Sequence, residues 1–187
     1  MTGVTEAPEF QLEARDTELA ISFWNQKAKR FGKPPPATEF NLIGLASQSF
    51  RFVICADLLV SDGSFFLAYG PSFAKLFDLL ERPSMHVAMI RYIPDRYRFL
   101  FSDGCNDAIA EAAPVRCSGE IAGSAGVELY RACFMPLRLS PSTMQAIYGS
   151  FNYLTRPAAE LCEHSSHDGV LAAEASSTFP ALPIIRS

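Results

Sequence analysis

Three histidines, five cysteines and a cluster of arginines and tyrosines are the side chains through which this sequence could do chemistry. His86 stands between Met85 and Val87 in an apolar stretch. A neutral imidazole there could ligate haem from a cavity wall, or simply pack as a hydrogen-bonded core histidine; no second haem signal accompanies it, so no haem is assigned. Cys162, His164 and His167 lie within Cys162-Glu163-His164-Ser165-Ser166-His167-Asp168, soft and imidazole ligands at close spacing, but no second ligand pair completes a metal site. Hydrolysis needs a nucleophile, a base and an orienting group in one place, and the sequence offers neither a Gly-x-Ser-x-Gly elbow nor a phosphate-cradling Gly-x-x-x-x-Gly-Lys-Ser/Thr loop. Glu6 with Glu9 and Glu160 with Glu163 fall in polar terminal stretches, where carboxylates are solvated.

The remaining cysteines, Cys55, Cys105, Cys117 and Cys133, are scattered without a C-x-x-C pair, and the odd total argues against a disulfide framework. In apolar or β-like surroundings a thiol acts as a small buried hydrophobe. Arg91, Arg96 and Arg98 with Tyr92 and Tyr97 form a cationic and aromatic patch. Its guanidinium forks suit a carboxylate or phosphate at a pocket mouth, or a partner's acidic face. The alternative is a solvated surface with local ion pairs to Asp95 or Asp103, each worth under about 1 kcal/mol.

These residues must be positioned by a chain of 187 residues, 49% hydrophobic, which is enough for one domain with a sizeable core. Sixteen basic residues against 20 acidic ones give a net charge of −4, without the basic excess of a nucleic-acid binder. No apolar run reaches the length of a membrane span and the start lacks a signal-peptide pattern, so a soluble cytoplasmic protein is expected. Residues 1–15 read as a flexible leader and 157–187 as a loosely ordered or disordered tail, leaving a folded unit over 16–156.

Within that unit, Asp16 is a possible helix N-cap, and Ala20, Phe23, Trp24, Ala28 and Phe31 recur at three- and four-residue steps. Gly32 and Pro34-Pro35-Pro36 stop the helix near Phe31. Two apolar runs, 50–60 and 65–69, flank Ser61-Asp62-Gly63-Ser64, which predicts a hairpin turning on Asp62-Gly63. Pro71 can open a helix carrying Phe73, Leu76, Phe77 and Leu80. Residues 83–113 are ambiguous between helix and strand, with 107–113 leaning helical. Runs 115–122, 127–139 and 143–154 form a three-stranded meander with one more apolar side, separated by Gly123-Ser124-Ala125-Gly126 and Ser140-Pro141-Ser142. The order implies an α+β domain: a five-stranded antiparallel sheet with helices on one face and an N-terminal flanking helix.

In this order the motifs resemble those of PAS domains, and more specifically a bacterial family of short stand-alone PAS proteins. The likeness runs from Phe23-Trp24, Gly32-Lys33-Pro34 and Asn41-Leu42 through Phe52-Val53-Ile54-Cys55-Ala56-Asp57 and Tyr69-Gly70-Pro71-Ser72. It continues in Tyr130-Arg131-Ala132-Cys133-Phe134-Met135-Pro136-Leu137 and Ile147-Tyr148-Gly149-Ser150-Phe151-Asn152-Tyr153. It implies a PAS-like, non-enzymatic sensory or interaction module in which sheet and middle helices enclose a small-molecule pocket, with flanking helices mediating dimerisation. Two departures stand out: Asp78 follows Phe77 where the family tends to have glycine, and Asp103-Gly104 falls where a continuous helix is expected. The asparagine-cysteine-arginine motif of flavin photosensors is absent, because Gly104-Cys105-Asn106-Asp107 reverses the order and lacks the arginine.

Residues expected to line a ligand space are Phe73, Phe77, His86, Met89, Tyr97, Phe99, Tyr130, Phe134 and Phe151. The ligand expected is apolar or amphipathic, and no cofactor is assigned. Homodimerisation through the N-terminal helix and an unidentified signalling partner are expected. Two alternatives stay open: the aromatic mass fills the interior and leaves a ligand-free dimerisation scaffold, or a small enzyme works from Cys105 or His86.

Overall fold

The computed structural model of the protein describes residues 8–41, 44, 50–56, 63–80, 88–123, 126–139 and 145–157, and of residues 8–16, Ala56 and Pro157 the backbone alone. Helix α1 spans Pro8–Phe31, so it starts well ahead of Asp16. Glu9, Gln11, Leu12, Glu13, Ala14 and Arg15 are good helix formers, and Pro8 at the first position has no N–H to waste. The end is as expected: Lys29 and Arg30 face the negative end of the helix dipole, and Gly32, at φ +90°, returns its N–H to Ala28 O at 3.0 Å.

Five strands follow in the spatial order β2-β1-β5-β4-β3, every neighbouring pair antiparallel: β1 (Arg51–Ala56), β2 (Phe65–Tyr69), β3 (Val115–Gly123), β4 (Gly126–Arg138) and β5 (Gln145–Pro157). The meander is therefore real, and its last strand docks on the first. The β1–β2 register corrects the expected tight hairpin. Cys55 lies opposite Phe65, whereas a two-residue turn on Asp62-Gly63 would set Val60 there. This register buries Phe52, Ile54 and Phe66 on one face, with a bulge between Val53 and Ile54. Residues 57–62 lie outside the described residues.

Between the strand groups stand α2 (Pro71–Leu76), a 3₁₀ turn at Met89–Arg91 and α3 (Asp95–Glu111). Helix α2 opens on Pro71 as expected and ends at Phe77, after which Asp78 adopts φ +52°. That is the left-handed region glycine enters freely, at the position where the resembled family tends to carry one. Helix α3 passes unbroken through Asp103-Gly104. Gly104 is there for a tertiary reason: a Cβ on it would come within 2.3 Å of the Phe134 ring, so its absence lets α3 settle directly on β4. Gly149 does the same for Phe52 and the Cys133 carbonyl.

Helices α2 and α3 cover one face of the sheet, here called inner, over Phe52, Ile54, Phe66, Ala132, Phe134, Ile147 and Phe151. The opposite, outer face is covered in part by α1 through Ala20, Ile21, Trp24 and Ala28. The sheet is thus apolar on both sides in its central strands: Cys133, Met135 and Leu137, alternating with the inner residues of β4, are fully buried beneath α1. Trp24 is the anchor, with no exposed surface and its indole Nε1 donating to Pro136 O at 2.8 Å. Phe23, expected on the same stripe, sits at its margin, 41% exposed, with its ring edge-on to Phe40 at 5.4 Å.

Candidate functional site

The inner face gathers most of the residues expected to line a ligand space. Phe73, Met89, Tyr97, Phe134 and Phe151 are buried in one cluster, and Phe77 and Tyr130 pack against it half-buried. Phe99 does not belong to it. Helix α3 turns Tyr97, Phe101, Cys105 and Ala108 toward the sheet at steps of four, four and three, and Phe99, two residues past Tyr97, points away, 80% exposed. His86 lies outside the described residues.

Rather than standing around a space, these rings stand against one another. Phe77 stacks on Phe151 at 5.2 Å, Tyr97 meets Phe151 edge-on at 4.9 Å, and Phe73 meets Phe77 edge-on at 5.0 Å. Phe52 touches Phe73, Phe101 and Phe134 at 5.2, 5.3 and 5.7 Å. These are the separations of rings in direct van der Waals contact. Sequence reasoning left out Phe52, Phe66 and Phe101, which connect the network. The alternation of Phe52 with Ile54, and the four-residue step from Tyr97 to Phe101, were the signals for two of them.

At one end the apolar cluster gives way to a buried polar group that sequence reasoning did not assemble. Glu128, on the inner face near the start of β4, is 5% exposed. Its carboxylate accepts from Arg96 Nε at 2.6 Å, Arg96 Nη2 at 3.0 Å and Tyr97 Oη at 2.5 Å. The guanidinium carbon of Arg96 also lies 4.9 Å from the centroid of the Tyr97 ring. Of the local ion pairs expected from this patch to Asp95 or Asp103, Arg98 makes one with Asp95 at 2.8 Å, while the Arg96 fork pairs with Glu128 instead. Burial, followed by the hydrogen bond to Glu128, pushes the Tyr97 phenol far above its usual range, so it donates a proton without releasing it. Tyr130 is raised as well, first by burial and then by Cys117.

Burial holds the thiols of Cys105, Cys117 and Cys133 in their protonated form. Burial raises Cys105 to about 12 and, with Asp107 and neighbouring groups adding, Cys117 to about 11, and it raises Cys133 too. At neutral pH all three are protonated, and a thiol is not a nucleophile in that form. On the outer face, Cys133 Sγ lies 3.3 Å from Ser150 Oγ, which lies 3.2 Å from Thr17 Oγ1 of α1. Arg51, 3% exposed, donates to the Tyr148 hydroxyl. Among the described residues, no group of three or more His, Cys, Asp or Glu could hold a metal, and no helix is long and apolar enough to cross a membrane. The segment Cys162 to Asp168 lies outside the described residues.

No family model and no curated protein matches the sequence. Among solved structures, the chain is similar to the PAS domain from Bordetella pertussis BvgS, at 15% sequence identity, covering 68% of this chain and 93% of that one with a TM-score of 0.44. The sheet of five antiparallel strands, the helices between its two strand groups and the leading helix are the architecture that the PAS resemblance implies.

Proposed function

We propose that the chain is a non-enzymatic sensory or regulatory module of the PAS type that acts through protein–protein contacts and uses its interior as a packed support. One observation carries this reading: the side chains that would line a ligand space on the inner face are in ring-to-ring contact with each other. A core closed in this way transmits strain between α2, α3 and the sheet without a ligand, because close-packed interiors deform little. The Cys105 thiol, buried as well as protonated, weighs against cysteine chemistry there.

A second reading, a receptor for a small amphipathic molecule, is favoured by the Glu128–Arg96–Tyr97 group. It places a polar head-group partner at the end of an aromatic interior, the arrangement of an amphipathic site. Mass spectrometry of material released on denaturing the purified full chain separates the two. The packed-support reading expects no stoichiometric compound and no thermal shift across a metabolite panel. A compound recovered at one per chain would replace it with the receptor.

A further inference from the structure

Strand β3 is the last of the sheet: it pairs with β4 from Val115 to Gly123 and, among the described residues, with nothing on its other side. Proteins blunt such edges with proline, a bulge, an inward charge or a covering element. Among the described residues, none of these occurs along Val115-Arg116-Cys117-Ser118-Gly119-Glu120-Ile121-Ala122-Gly123. The register with β4 is unbroken, the inner-facing residues Val115, Cys117, Gly119 and Ile121 are uncharged, and Arg116, Ser118, Glu120 and Ala122 are exposed.

We propose that this edge is a self-association surface whose occupant is β3 of a second copy, added antiparallel about a two-fold axis through Ser118. In that register Arg116 faces the partner's Glu120 and Glu120 faces the partner's Arg116, so one interface carries two opposite-charge pairs. On the inner face Val115 meets the partner's Ile121, which extends the apolar layer from one copy into the next. The neighbouring registers fail. An axis on Arg116 sets arginine against arginine, and one on Glu120 sets glutamate against glutamate; like charges directly opposite on adjacent strands are destabilising. Axes on Cys117 or Gly119 leave both charges facing uncharged residues. Charge complementarity therefore selects one alignment of a surface that is its own complement, the requirement for a two-fold dimer. Arg116 already reaches Glu18 of α1 at 2.7 Å, an exposed pair that holds its side chain over the outer face where the partner's Glu120 would arrive. This goes beyond the functional reading above, because it holds whether or not the interior accepts a ligand. It also places self-association at the sheet edge rather than on α1, whose Ala20, Ile21, Trp24 and Ala28 are buried against its own sheet.

Sedimentation of the full chain tests it. Wild type is expected to run as a dimer, and Glu120→Arg or Arg116→Glu to weaken the dimer about tenfold or more by making both pairs repulsive. Mixing the two variants is expected to restore a heterodimer, since every facing pair is then arginine with glutamate. Ser118→Lys, with like charges meeting on the axis, serves should either reversal fail to show a cooperative melt. Phe23→Glu on α1 is expected to leave the mass unchanged. A monomeric wild type, a dimer that survives the reversals, or a dimer abolished by Phe23→Glu overturns the proposal.

Discussion

The two faces of the sheet are built from different materials. The inner face is dominated by a ring network, with Phe52, Phe66, Phe73, Phe101, Phe134 and Phe151 fully or almost fully buried and Ile54, Ile93 and Ile147 packed among them. The outer face combines the Trp24 indole and the Phe40 and Tyr148 rings with aliphatic and small side chains, Ala20, Ile21, Ala28, Val53, Cys133, Met135, Leu137 and Ala146, with Arg51 and Ser150 buried among them. Rings are large and stiff, so the inner face gains much from burial and tolerates little change in volume. Smaller side chains and hydroxyls leave the outer face tied at points, by Trp24 to Pro136 and Thr17 to Ser150. The difference teaches that a single fold can pair a rigid core with a cover held by a few bonds, and that α1 is the element whose attachment is easiest to alter.

Substitutions on each face sharpen or break this contrast. Phe134→Ala, deleting a fully buried ring, is expected to destabilise by about 3–5 kcal/mol in a denaturant melt. A near-neutral result would show that the inner face is loosely packed. Gly104→Ala inserts a methyl group where the Phe134 ring lies and is expected to cost about 1–3 kcal/mol, opposite in sign to the gain alanine gives in an ordinary helix. Trp24→Phe leaves the Pro136 carbonyl without its donor and is expected to cost about 1–3 kcal/mol, with the loss confined to α1 in hydrogen exchange. Loss of protection throughout the inner face would mean that the two faces unfold as one.

Alkaline pH probes the same contrast. Cys105 ionises at about 12 in the fold against an ordinary value of 9.0. The unfolded chain therefore gives up this proton first. Its contribution to stability is intact below pH 9 and is lost as pH rises from there toward 12; Cys117, also raised, acts in the same direction. Cys105→Ala is expected to flatten that decline, and an unchanged slope would assign it to other groups. The smallest effect belongs to Asp78, where Asp78→Gly relieves a φ of +52° and is expected to raise stability by under about 1 kcal/mol, visible as a small upward shift in melting temperature.

Much of this was legible from local pattern. The stop of α1 at Gly32, the helix opening on Pro71, the meander and the five-stranded sheet all follow from short-range rules of capping, turn chemistry and alternation. The features that were not legible depend on distant partners. Gly104 reads as a helix break until Phe134, thirty residues on, is seen to occupy the space it leaves. Arg96 reads as a solvated cation until β4 brings Glu128 to it from across the chain. Phe99 sits in the same apolar run as Tyr97 and Phe101, and only the helical phase of α3 separates it from them. Asp62-Gly63 is a strong local turn signal, yet it does not give the register in which Cys55 lies opposite Phe65. At Gly104 a local helix preference of about 1 kcal/mol competes with burial of the Phe134 ring, worth two or three times as much.

Whether the inner face is filled by its own rings can be asked directly by melting wild type and Phe134→Ala with and without saturating benzene, a probe that enters dry apolar cavities and stabilises the fold it binds. Wild type is expected to melt at the same temperature with or without benzene, while the variant regains part of its lost stability. A wild-type protein stabilised by benzene as strongly as the variant would mean that the interior already holds a space, and would contradict the packed support on which the functional reading rests.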